Sequence, residues 1–234
     1  MGFFDFLKDK KKEFAPAIYG LFRPRIEVVK KYGKWNEDLT FGESFIESEY
    51  LVGFLNMYIN LTAKANGFEG VEHAKLAAKV YEQMDPTFKG LSKLKILTDT
   101  YHDFASKGSK EFKLASDECF MFYNVVTNHP VIKEFIDNPI YKKANKYFMS
   151  GQAKKDHDFS KKIMDQNTHN SEIMDNAPPN LLIANKIFEL TFVNKLNKFF
   201  KYDWSINMKK LLSILFLGLL LASCSDAKTE KMLE

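Results

Sequence analysis

The chain is predicted to be all-α, an antiparallel bundle of roughly six to eight helices, on three observations. Apolar residues recur at three- and four-residue spacing along most of the chain, with no sustained period-two alternation. Gly, Pro or Asn interrupts that pattern about every 15 to 20 residues, the rhythm of helices joined by short turns. The apolar set is bulky, with 22 Phe and 10 Tyr among 234 residues against 11 Gly and 7 Pro. A sandwich or barrel would need many more turn residues.

Residues 1–24 read as a basic amphipathic N-terminal segment, 25–203 as the helical bundle domain and 204–234 as a hydrophobic tail. In the first segment Phe3, Phe6, Leu7 and Phe14 fall near one helical face, beside Lys8, Lys10, Lys11 and Lys12. An apolar wedge next to clustered lysines suits an anionic membrane surface; it also suits the end of a bundle. Gly2 is not a myristoylation site, because Phe6 stands where Ser or Thr is required. Pro16 and Pro24 are expected to interrupt any helix, leaving a short one from Arg25 to Tyr32 that ends near Gly33.

Thr40 followed by Glu43 is a capping-box pattern. Tyr50, Phe54, Met57, Leu61 and Ala65 then keep helical spacing up to Asn66-Gly67, so residues 42–65 are expected as one long helix. The next spans Gly70 to Met84, with Val71, Ala74, Ala78 and Tyr81 inward, and stops at Asp85-Pro86. Ser92 to Ser106 follows, striped by Leu94, Leu97, Tyr101 and Phe104 and closed by Gly108. A helix from Lys110 to Thr127 ends at Asn128-His129-Pro130, and short helices Val131 to Asp137 and Ile140 to Ser150 flank Asn138-Pro139. Residues 152–178 are polar, amphipathic at best. After Pro178-Pro179, Asn180 to Phe200 carries Ile187, Leu190, Phe192, Val193, Leu196 and Phe199 around most of its circumference, which places it centrally in the bundle.

The formal charge of +4 comes from dispersed lysines, and Arg23 and Arg25 are the only arginines. A nucleic-acid binder clusters its charge and uses arginine forks, so no nucleic-acid partner is expected. Cys119 and Cys224 are the only cysteines, so no disulfide braces the domain and a reducing compartment fits. Cys119 lies in an apolar stretch and reads as a small buried hydrophobe.

Asp99, His102 and Asp103 stand at i, i+3 and i+4, the spacing that gathers ligands on one helix face. With Glu118 they are the candidate metal ligands, and Glu69 with His73, Asp165 with His169, and Glu43 with Glu47 are further carboxylate or histidine pairs. No duplicated Glu-x-x-His appears, so a solvated helix face is the competing reading and no metal is assigned. Glu118 is the most notable carboxylate, since it falls between Ala115 and Phe122 on a mostly apolar face where a lone charge needs a partner. Nucleophile elbows, paired-cysteine motifs and glycine-rich phosphate loops are missing from the sequence, so no cofactor is expected and no catalytic residue is named.

Met208 to Cys224 (MKKLLSILFLGLLLASC) joins a Met, a basic pair at Lys209 and Lys210, an apolar run and Leu221-Ala222-Ser223-Cys224. This stretch resembles a bacterial lipoprotein signal peptide with its lipobox. The resemblance implies lipid attachment at Cys224 if Met208 begins a free N-terminus, and hence a second reading frame joined to the first. A membrane tail anchor is the second reading, but the run Leu211 to Ala222 reaches only about 18 Å at ~1.5 Å per residue, against a hydrocarbon core of roughly 30 Å. A helix docked on the domain is the third. The chain as a whole is expected to be a non-catalytic helical interaction protein in a bacterial cytoplasm, or peripheral to the inner membrane through Phe3, Phe6, Leu7 and the lysines that follow. The alternative is a helical-bundle metalloenzyme with carboxylate and His ligands.

Overall fold

A computed structural model describes residues 3–89, 91–156 and 178–201, with side chains from residue 14 onward except those of residues 91–98. The fold is an all-α helical bundle, and every regular element among the described residues is helical. By contact the described chain forms two units, one of residues up to Phe120 with Asn194–Lys201, the other from Met121 to Val193.

The first unit opens with α1, Phe3–Tyr32, which corrects the expectation of a short helix beginning at Arg25. Pro16 and Pro24 lie inside α1 without ending it. A proline in a helix interior costs about 3 kcal/mol. Burial outweighs that cost here, since Ala15, Ile18, Tyr19, Phe22, Ile26, Val28 and Val29 are all in the core. Phe22 meets Phe54 and Tyr58 edge-on at 6.3 and 5.4 Å.

Thr40 and Glu43 form the anticipated capping box and start α2, Phe41–Ile46. The single helix expected over 42–65 is instead two. Ser48, whose hydroxyl accepts from the Leu51 N–H at 3.3 Å, restarts the chain as α3, Glu49–Ala65. A serine oxygen competes with carbonyls for backbone donors, and the break follows from that competition. At Gly53 a Cβ would lie 3.1 Å from both Ala115 Cβ and the Phe112 carbonyl, so α3 packs tightly there and nothing larger fits without a shift.

Gly67 takes φ +69° at the end of α3, and α4 runs Gly70–Met84 as expected. Its buried face is Leu76, Val80, Tyr81 and Met84; Val71, placed inward by sequence, is 69% exposed because it sits in the first turn, beyond the packed part of the helix. Asp85 ends α4 and caps the short 3₁₀ turn Pro86–Phe88 by accepting from the Thr87 N–H at 3.0 Å. Its other oxygen accepts from the Gly42 N–H at 2.7 Å, which ties the end of α4 to the start of α2. The remaining helices of this unit are α5, Leu91–Lys107, the first part of α6, Lys110–Val126, and a last short one described below.

The second unit begins within α6, whose final carbonyls Val125 and Val126 accept from Asn180 Nδ2 at 3.3 and 3.1 Å. Asn128 at φ +52° then turns the chain. The short helix expected over 131–137 is a 3₁₀ stretch, Pro130–Phe135, capped by the His129 imidazole. Next is α7, Pro139–Met149, capped by Asn138, with Gly151 at φ +74° beyond it. Residues 152–156 are helical, and the rest of the polar stretch up to 177 lies outside the described residues.

The anticipated Asn180 to Phe200 helix is a run of three pieces: α8, Pro179–Phe188, a π turn, Glu189–Val193, and α9, Asn194–Phe199. The π turn has a local cause. Thr191 donates its hydroxyl to the Ile187 carbonyl at 2.7 Å and is itself buried, which fits an inserted residue in the helical ladder. Phe188 stacks on Phe192 at 5.2 Å and tilts against Phe122 at 5.2 Å, forming the aromatic centre of the second unit.

Candidate functional site

The chemistry-bearing residues that the first unit gathers most closely are Tyr50 of α3, Glu111 and Glu118 of α6, and Lys195 of α9. Tyr50 occupies the first turn of α3 and is 3% exposed. Its hydroxyl donates to a half-buried Glu118 carboxylate. Lys195 lies 4.8 Å above the Tyr50 ring and donates to Glu111 at 2.7 Å. The neighbouring turn is held by Ser109, which donates to Glu49.

Burial pushes the Glu118 carboxyl above the ordinary glutamate range. The Tyr50 hydrogen bond and the Lys195 charge pull it back in part, while Glu111 and Asp117 push it up further. Cys119, the next residue, is 0% exposed, and burial holds its thiol well above the usual range. A thiol in that state is not a nucleophile.

Asp85 is the second buried carboxylate of the unit, at 7% exposure. Burial pushes its pKa up, but the N–H groups of Thr87 and Gly42 outweigh that and hold it below the usual value. Its geometry is that of a double cap, and its role is to fasten helix ends.

The other sequence candidates are spread out. Asp99, His102 and Asp103 are exposed on α5, where Asp103 accepts from Lys107 at 2.5 Å and His102 lies beside the Tyr101 ring. Glu118 is on α6 and engaged with Tyr50. Glu43 is committed to its capping box, and His73 Nε2 is enclosed without a hydrogen-bond partner. Among the described residues no three His, Cys, Asp or Glu side chains gather as a metal would need. Asp165, His169, the side chains of Phe3, Phe6, Leu7, Lys8, Lys10, Lys11 and Lys12, and the tail from Met208 to Cys224 lie outside the described part.

The sequence marks Glu118 but not Lys195, which is 84 residues from its partner Glu111. Nothing local to Lys195 marks it. Asp85-Pro86 marks a helix stop, and Asp-Pro-Thr is also a cap signature with proline at the first helical position. No known protein family, curated protein or solved structure matches this chain.

Proposed function

We propose that the chain is a non-catalytic helical interaction protein that rests on the anionic inner face of a bacterial membrane through the first turns of α1. The observation carrying this reading is the continuity of α1 from Phe3 to Tyr32. Its second half is anchored in the core by Phe22, Ile26 and Val29, so the FFDFLKDKKKE segment is an extension of an anchored helix. Positions 3, 6 and 7 of a helical backbone share one face, and four lysines follow within five residues, at 8, 10, 11 and 12.

Phe14, grouped with that wedge from sequence, belongs to the bundle: its ring meets Phe68 edge-on at 5.2 Å. The membrane-facing part therefore ends before it. Among the described residues no helix is long and apolar enough to cross a membrane, and a wedge of this size binds a surface reversibly.

The test is flotation of the full chain with phosphatidylglycerol-containing vesicles, compared with a full-length F3S/F6S/L7S variant. The expected result is co-flotation of the unmodified chain and its loss in the variant. Equal flotation of the two would remove α1 from the account.

A further inference from the structure

On the membrane-surface reading of α1, we infer that the cleft between α1 and the end of α4 seats the phosphate of an anionic lipid headgroup. This cleft has a volume of ≈ 370 Å³ and is lined by Ala15, Lys79, Glu82, Gln83, Pro86 and Lys89. Ala15 forms its floor on the α1 side and is 1% exposed. It follows directly on Phe14, the residue at which α1 enters the bundle. The cleft therefore adjoins the segment assigned to the membrane.

The charges fit one phosphodiester. Lys79 and Lys89 are exposed, and among the described residues neither ammonium has a hydrogen-bond or ion-pair partner. Lys34, Lys64 and Lys75 of the same unit are likewise unpaired among the described residues, so what marks Lys79 and Lys89 is that they share this cleft. Glu82 carries the opposing charge in the cleft, so the lining is +1 overall when both lysines and the glutamate are ionised. A phosphodiester carries a single negative charge, and two ammonium groups with the Gln83 amide supply its donors. The exposed Pro86 ring offers an apolar wall for the glycerol carbons that accompany such a headgroup.

The same flotation assay tests this with further full-length variants. K79Q/K89Q removes the two ammoniums, and K133Q/K143Q makes the same charge change at exposed positions of the other unit. At about 1 kcal/mol per lysine near an anionic surface, the first pair is expected to weaken partitioning onto phosphatidylglycerol vesicles about 30-fold, with K133Q/K143Q little changed. An equal loss in both pairs would reduce the effect to net charge and overturn the cleft.

If F3S/F6S/L7S fails to float while K79Q/K89Q floats like the unmodified chain, the α1 reading stands and the headgroup seat falls. If F3S/F6S/L7S floats normally, the membrane reading falls first. Titration with inorganic phosphate separates the two sources of the anion. Tight phosphate binding that depends on Lys79 and Lys89, with flotation unaffected by their loss, would assign the cleft to a soluble phosphate and overturn the lipid.

Discussion

Replacing Asp85 with alanine should destabilise the first unit strongly. The carboxylate accepts from two backbone donors, Gly42 N–H at 2.7 Å and Thr87 N–H at 3.0 Å. Gly42 is buried, so its N–H would be left without a partner away from water, at about 1–3 kcal/mol. Loss of the cap on the 3₁₀ turn adds about 1 kcal/mol. The sum, about 2–4 kcal/mol, is a large share of the roughly 5–15 kcal/mol that holds a domain together.

Urea denaturation of the full chain at neutral pH, followed by circular dichroism, measures this cost directly. The pH dependence supplies an independent check. A carboxyl whose folded pKa lies below its unfolded value stabilises the fold above the unfolded value, near 3.8 for Asp85, and loses that contribution as pH falls through the folded pKa. The gap between the unmodified chain and D85A should therefore be full at neutral pH and narrow in strong acid, where the protonated carboxyl keeps an acceptor oxygen but not its charge. D85N, which keeps one acceptor oxygen without the charge, should fall between them with a flatter profile. A D85A cost under about 0.5 kcal/mol, the level of an ordinary surface change, would refute the double-cap reasoning.

Other expectations follow from the same geometry. G42A puts a Cβ 2.2 Å from Phe88 Cε2 and 2.8 Å from Asp85 Cβ, and overpacking of this kind should lower the urea midpoint by about 1–3 kcal/mol in stability. F22A removes a ring that is 0% exposed between Phe54 and Tyr58 and should cost about 3–5 kcal/mol in the same assay. For Glu118 the folded pKa is raised, so its contribution is fully present below the unfolded value near 4.5 and is lost as pH rises through the folded pKa. E118Q keeps an acceptor for Tyr50 and should gain stability over the unmodified chain at pH 7 but not at pH 4; a gain of equal size at both would remove the proton from the explanation. In a C224S background, Cys119 should react with a disulfide reagent only as fast as the chain opens, and rapid labelling of the native chain would contradict its burial.

Local signals in the sequence located most helix ends. The Thr40–Glu43 box, the glycines at 67, 108 and 151, and Asn138 before Pro139 each act within a few residues of themselves, and the structure uses all of them. Glu118 was legible for a related reason, since its place among apolar neighbours on one helix already implied a buried partner. The partner itself was not legible, because Tyr50 is 68 residues away.

The amino-acid order by itself determined the helical class, the turns between helices and the amphipathic lysine-bearing start of α1, because periodicity and capping are short-range properties of the chain. Only the tertiary structure decided that two prolines would sit inside α1 and that Asp85 would hold a helix start 43 residues earlier. In each case the deciding energy is burial or a hydrogen bond between segments far apart in sequence, and no local pattern encodes which distant surface a residue will meet.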